Sequence, residues 1–276
     1  MSSTTKGHND LFWALKGGTN NFGVATHFDL ATVATDGRVL GGIVNYPKSS
    51  LDKLADAIYD HHVNQAVNDT HTHTLPQFGY NGTTNETINF TPGVYNADLQ
   101  GLPDIMQPWN NRPHYKSTVH NQSYTSLPAE LNDGFPDGKF QAQRIMTVYE
   151  DAQLYKDIWW EFRKWMKNYQ DDWKMLETAR WASSTFGATF DNEADSDRVL
   201  SDHDEFVEKM QQLAASRELL HLYLMPTYSG WNQPLLTSYG EKNLAKPRAS
   251  QAIYDPTNVF QRLVPGGQKR PDAKEA

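Results

Sequence analysis

Apolar residues recur along this chain with two spacings. Leu51, Leu54, Ala55, Ile58 and Tyr59 stand at i, i+3, i+4, i+7 and i+8 behind Ser49 and Ser50, which predicts a helix through about residue 64. Leu154, Ile158, Phe162, Trp165 and Tyr169 form a second helical stripe over 151–169. In 140–149 the period drops to two: Phe140, Ala142, Met146 and Val148 alternate with Gln141, Gln143 and Thr147, the signature of a strand. Weaker patterns predict strands over 24–30, 38–46, 177–183 and 219–225, and short strands between 72 and 90 around Asn81-Gly82. Helices are expected over 11–16, with Asn9 or Asp10 as N-cap and Gly17 in the left-handed C′ position, and over 204–215. Another opens at Ser238-Tyr239-Gly240-Glu241 and is stopped by Tyr254-Asp255-Pro256. Prolines break the signal between 92 and 136, leaving loops, a short helix near 102–106 and a strand around 117–120. Strands and helices mix without a βαβ rhythm. The fold class this predicts is α+β, an antiparallel sheet flanked by helices.

Composition narrows the chemistry. Lys plus Arg is 25 and Asp plus Glu is 33 in 276 residues, a formal charge of −8, and no basic cluster appears, so nucleic acid is not an expected partner. The chain has no cysteine, which excludes disulfides, thiolate nucleophiles and cysteine-ligated metals. No apolar run reaches membrane-spanning length, so no membrane contact is expected, and the first eight residues lack the apolar core of a secretory signal. The 8 Trp, 13 Tyr and 12 Phe are enough to build an aromatic core.

Few local patterns carry chemistry. Gly17-Gly18-Thr19-Asn20-Asn21-Phe22-Gly23 is a loop whose backbone can approach a ligand and present N–H groups to phosphate, although most loops of this kind are plain turns. A helix precedes it and a strand follows, the reverse of a dinucleotide-binding fingerprint. His71 and His73 have a metal-ligand spacing but no third ligand, and His61-His62 reads as a surface pair, so no metal is expected. Tyr155, Trp159, Phe162, Trp165 and Trp173 fit core packing better than a stacking platform. Asp191, Glu193, Asp195 and Asp197 read as a solvated acidic loop. Asn68, Asn81, Asn85, Asn89 and Asn121 each head an N-x-Ser/Thr sequon.

Two longer segments say more. Asp10-Leu-Phe-Trp-Ala-Leu-Lys-Gly-Gly-Thr-Asn-Asn-Phe-Gly23 closely resembles a signature of the FAD-linked oxidoreductases of the berberine-bridge-enzyme-like, vanillyl-alcohol-oxidase type. Ser238-Tyr-Gly-Glu-Lys-Asn243, followed by Tyr254-Asp-Pro-Thr-Asn-Val-Phe260, is similar to the C-terminal motif of that family. Leu40 to Pro47 and Phe260 to Gly267 resemble its fungal branch, so the likeness runs from Asn9 to about Gly267.

The resemblance implies FAD as cofactor, a small-molecule substrate, and hydride transfer to the flavin in fungal-type secondary metabolism. It implies that residues 1–35 are the C-terminal remnant of an FAD-binding domain and 36–237 the substrate-binding domain. Residues 238–265 would return to the FAD domain, and 266–276 would form a disordered tail. Gly17, Gly18, Asn21, Phe22, Gly23 and Val24 would line the cofactor cleft, with Tyr239, Asn243, Tyr254 and Asp255 securing the C-terminal helix beside it. No motif marks the catalytic base; Tyr80, Tyr149 and Tyr228 stand on or beside predicted strands.

The family's flavin-linking histidine segment precedes the glycine loop, and this sequence has no counterpart, so the expectation is an N-terminally truncated member that holds FAD poorly. Leu11, Phe12, Trp13 and Leu15 would then form an exposed apolar patch, each forfeiting about 1.5–3 kcal/mol of burial, covered by a protein partner or by self-association. Two readings compete with the oxidoreductase: a flavin-free substrate-binding or cyclisation protein, and an inactive product. Pro247 falls inside the predicted last helix, where a proline costs about 3 kcal/mol.

Overall fold

The apolar stripe of the long helix packs on one face of an antiparallel sheet. A computed structural model of the chain describes residues 7–32, 35–81, 86–132, 138–169, 178–182 and 185–269. In chain order the elements are α1 (Asn9–Leu15), β1 (Arg38–Asn45), α2 (Leu51–Asp60), β2 (Thr72–Thr74), β3 (Gln77–Asn81), β4 (Glu86–Tyr95) and α3 (Gln107–Asn110). Then come β5 (Lys116–Ser117), β6 (His120–Ser123), α4 (Ser126–Asn132), β7 (Phe140–Ile145), β8 (Thr147–Val148), α5 (Ala152–Tyr169), β9 (Thr178–Ala182) and β10 (Thr185–Phe190). The last are α6 (Ser196–Ser216), β11 (Leu220–His221), α7 (Leu235–Ser238), α8 (Glu241–Tyr254) and α9 (Val259–Arg262). The α+β class with an antiparallel sheet flanked by helices is what the chain forms. It divides into two units: one comprises Met1–Val33, Arg144–Thr147 and His221–Ala276, the other Ala34–Gln143 and Val148–Leu220.

The larger unit is built on the sheet, ordered β5-β1-β4-β3-β9-β10-β7, with β2 also on β4 and β6 also on β1. Antiparallel pairing sets Val44 opposite Thr91, Phe78 opposite Asn89 and Tyr80 opposite Thr87, so these residues share a face. Helices cover that face. The ring of Phe78 lies 5.3 Å from that of Trp159 on α5, and Phe186 of β10 lies edge-on to Phe206 of α6 at 5.6 Å. Leu154, Ile158, Trp159 and Phe162 of α5 are buried, as are Leu51, Leu54, Ala55 and Ile58 of α2. Both predicted stripes therefore form the core, although Tyr59 is exposed. Trp173 lies outside the described residues.

One close approach fixes the edge of the sheet. Gly42 of β1 has φ +154°, and a Cβ there would lie 2.7 Å from the backbone of Thr118. The glycine lets Thr118 bridge the break between β5 and β6: its N–H donates to the Ile43 carbonyl (2.9 Å), and its Oγ1 accepts from the Ile43 N–H (2.8 Å).

Several expectations are corrected. Residues 24–32 have no regular secondary structure and no ladder pairs them among the described residues, so the predicted strand is absent; Val24, Phe28 and Leu30 stand exposed. An alternating pattern cannot make a strand without a neighbour to bond. The strand expected over 219–225 shrinks to β11, and the one over 140–149 divides into β7 and β8. The helix expected from residue 204 begins at Ser196, since Val199, His203, Phe206, Val207, Met210 and Ala214 continue one buried stripe. The acidic residues before it therefore sit at a helix N-terminus, where the macrodipole favours them. Helix α4 was not anticipated. The N-cap of α1 is His8, with no side-chain cap bond, rather than Asn9 or Asp10. Helix α8 passes through Pro247, which is buried together with Leu244, Ser250 and Gln251. Asn89 is fully buried, so its sequon is inaccessible in the fold.

His61 is the clearest reversal. It lies in the π-turn His61–Gln65 after α2, is 3% exposed, and packs edge-on to Trp109 at 5.5 Å. Burial lowers its pKa from 6.5 to about 4; the neighbouring His62 and His73 reinforce the shift and Asp60 opposes it. The fold thus holds the imidazole neutral, while the unfolded chain takes up a proton first. Stability present above pH 6.5 should therefore be lost as pH falls toward 4. We expect urea unfolding to show a decline on the order of 2 kcal/mol across that window, and His61→Phe to remove this part of the slope. Gly42→Ala should lower stability by about 1–3 kcal/mol in the same assay, through both its positive φ and the Thr118 clash.

Candidate functional site

The glycine loop belongs to the smaller unit, where the far end of the chain clamps it. Gly17 follows α1 with φ +88°, as its C′ position requires, and the Tyr239 hydroxyl donates to its carbonyl (3.0 Å). A Cβ on Gly18 would overlap the Ala14 carbonyl and the Phe22 ring, so the loop folds back directly on α1. Phe22 is buried beneath it.

Asn21 is 0% exposed. Its Nδ2 donates within the loop to the Gly18 carbonyl (2.7 Å) and Thr19 Oγ1 (2.8 Å), and across to the Gln268 carbonyl (2.7 Å). Its Oδ1 accepts from Gln261 Nε2 (2.9 Å), which also approaches the Asn21 main-chain oxygen (3.3 Å). Thr19 Oγ1 donates to the Gln268 carbonyl (3.2 Å), and Lys269 Nζ bridges Asn20 Oδ1 and the Phe260 carbonyl, both at 2.9 Å. Burial lowers the Lys269 pKa. Residues 266–269 are thus fixed to the loop and are not part of a disordered tail; residues 270–276 lie outside the described residues.

The remaining predicted residues fall in different places. Tyr239 is half-buried, its ring stacked on Tyr223 at 5.9 Å, and burial pushes its pKa up to about 12. Asn243 stays exposed and donates to the Tyr239 carbonyl (2.8 Å), so it closes α7 without touching the loop. The Tyr254 hydroxyl donates to Asp10 Oδ1 (3.0 Å) and meets His8 Nδ1 (2.9 Å), which ties α8 to the start of α1. The buried Asp255 carboxylate accepts from the Val259 (2.7 Å) and Phe260 (3.0 Å) N–H groups at the start of α9. Of the residues that complete the clamp, Gln261 lies in the Phe260–Gly267 stretch without being singled out there, and Gln268 and Lys269 lie beyond it and carry no periodic or motif signal.

Gly23 and Val24 differ from the rest of the loop. A Cβ on Gly23 would meet nothing within 4 Å, and Val24 is 78% exposed. Their backbone groups have no partner among the described residues. The apolar residues of α1 follow the expectation in part: Trp13 and Leu15 are exposed, whereas Leu11 and Phe12 are half-buried. Lysines shield two of the rings, Lys16 Nζ lying 4.3 Å from the Phe12 centroid and Lys246 Nζ 5.0 Å from that of Trp13.

Of the three tyrosines on or beside predicted strands, Tyr80 is buried in the larger unit and Tyr149 is exposed. Tyr228 packs on the cluster of Ile145, Leu224 and Leu235. Among the described residues no group of three or more His, Asp or Glu side chains is arranged to hold a metal ion, and no helix is long and apolar enough to cross a membrane.

Known proteins match both the loop and the sheet. Aclacinomycin oxidoreductase superposes with a TM-score of 0.64 over 98% of this chain and 66% of its own, at 14% identity. A variant of berberine bridge enzyme gives 0.60 over 95% and 61%, at 12% identity. The fold is that of the FAD-linked oxidoreductases of the berberine-bridge type. In sequence, the chain is similar to the FAD-dependent monooxygenase sdcF of Emericella nidulans, 28% identical over 293 residues that cover 95% of the chain and 60% of that protein. The chain spans about 56–60% of the curated fungal relatives it matches over nearly its whole length. No protein-family model matches it.

The clamp makes its own prediction. Asn21→Ala leaves the Gln261 amide and the Gly18 and Gln268 carbonyls without a shared partner in a buried setting. Thermal unfolding should show a loss of about 2–4 kcal/mol, against about 1 kcal/mol for Tyr239→Phe, which removes a single hydrogen bond.

Proposed function

We propose that this chain forms part of an FAD-linked oxidoreductase of fungal secondary metabolism that oxidises a small organic substrate. The observation that carries the reading is the clamp on Asn21. It joins the Gly17–Gly23 loop to the C-terminal return, so the two segments that resemble the family meet in space although some 240 residues separate them. In this reading the unit containing α1, α8 and α9 is the flavin side, and the sheet unit is the substrate side.

Gly23 and Val24 would meet the cofactor through their backbone, with Gly17, Gly18, Asn21, Phe22, Tyr239 and Tyr254 holding the loop behind them. Asn243 would act one step further back, by closing α7. When bound, FAD supplies a hydride acceptor. The sheet face opposite Phe78 and Tyr80 carries Asn45, Gln77 and Gly79 together with the apolar Ile43 and Phe90. The relative's name, a monooxygenase, favours oxidative chemistry over a flavin-free cyclisation.

The purified 276-residue chain titrated with FAD should quench the flavin's fluorescence saturably but weakly, and should lose the flavin on gel filtration. Gly23→Val, which fills the open space at the loop tip and places a branched residue at φ +157°, should abolish the quenching and lower stability by about 1–3 kcal/mol, so the quenching is read where circular dichroism shows the variant folded. Absence of any saturable quenching at the solubility limit of FAD would overturn the assignment.

A further inference from the structure

Residues 24–32 belong to the smaller unit, and every one of them is exposed. Their sequence, Val24-Ala-Thr-His-Phe-Asp-Leu-Ala-Thr32, contains no proline, glycine or lysine to discourage pairing. In a strand, Val24, Thr26, Phe28 and Leu30 share one face, and the three apolar side chains are each at least 74% exposed. His27 and Asp29 share the other face, and His27 Nε2 meets Asp29 Oδ1 at 3.0 Å in the open. No N–H or C=O group of 24–32 has a backbone partner among the described residues. A β-prone apolar segment with an open backbone is a template for another strand.

The segment is complementary to itself in one register. When two copies run antiparallel about Phe28, Phe28 stands opposite Phe28, Thr26 opposite Leu30 and His27 opposite Asp29. The two-fold axis repeats the His27–Asp29 pair, so the contact within each chain is exchanged for two between chains. Both apolar faces then lie on the same side of the ribbon, with the Phe28 rings meeting at the axis. Centring on His27 instead sets Asp29 against Ala25, and a parallel in-register pair sets Asp29 against Asp29. Charge complementarity selects the register centred on Phe28.

We propose that residues 24–32 pair with the same segment of a second copy of this chain, forming an antiparallel two-stranded ribbon about Phe28. Such an interface is isologous and closes at two chains. It gives the backbone groups of this segment partners and removes part of the Phe28 and Leu30 side chains from water. A two-stranded ribbon is marginal by itself, so the dimer is a weak, reversible one. The inference does not depend on the flavin reading.

Sedimentation velocity of the full chain from about 1 to 100 µM tests the pairing, and we expect a monomer–dimer equilibrium with a Kd on the order of 10 µM. Thr26→Pro together with His27→Pro removes adjacent N–H groups, one of which must face the other copy, and should weaken dimerisation by at least about tenfold. His27→Asp sets like charges opposite each other and should weaken it by about fivefold; adding Asp29→His exchanges the members of the pair and should restore it. Because the chain has no cysteine, Phe28→Cys gives a single thiol at the axis. It should oxidise to a linked dimer faster than Val24→Cys, whose counterpart is Thr32. All these positions are exposed, so circular dichroism should be unchanged. A monomer at every concentration leaves the segment to a different partner and overturns the proposal. So does a dimer that the proline variant leaves intact, a charge exchange that restores nothing, or equal cross-linking from positions 28 and 24.

Discussion

A single buried carboxamide holds the smaller unit together. Asn21 has no access to water, and each of its polar atoms finds a partner inside the protein, two of them supplied by residues some 240 positions away in the chain. A buried amide is costly when unpaired and worth about a kilocalorie per bond when paired, so the loop has one favourable arrangement. The geometry of Gly17, the contact of Gly18 with α1 and the position of Tyr239 follow from that arrangement. The loop tip at Gly23 is left to face outward.

The sheet unit follows a different logic. Its core is aromatic and its order comes from side chains interlocking between one sheet face and three helices. Some of its buried polar groups are bonded, as Gln122 is to the Gly41 carbonyl, and others are unfinished: His61 neutral beside Trp109, Asn89 unbonded, Trp159 without an acceptor among the described residues.

How far the sequence revealed this depended on whether each element carried its own signal. Helices α2 and α5 were legible because Leu51, Leu54 and Ile58, or Leu154, Ile158 and Phe162, repeat at helical spacing and need no partner to be recognised. The N-terminal half of α6 was hidden by Asp191 to Asp197, whose polarity resembles a loop although helix starts favour acids. Residues 24–30 alternate like a strand, but alternation describes a surface, and the ladder must come from elsewhere. The loop and the motif around Tyr239 could be read because several unusual residues occur in order. Their connection could not, because it runs through Gln261 and Gln268, and a glutamine carries no pattern that says what it will touch. His61 was misjudged for a similar reason: whether an imidazole is wet or dry is decided by Trp109, which is remote in sequence.

The clamp also sets an order of events during synthesis. Helix α1 and its exposed Trp13 and Leu15 leave the ribosome well over 200 residues ahead of Gln261 and Gln268. Contacts of such long range close late and slowly. The nascent chain therefore carries an unclamped glycine loop while the whole sheet unit is translated, and that interval is when chaperone capture would matter most.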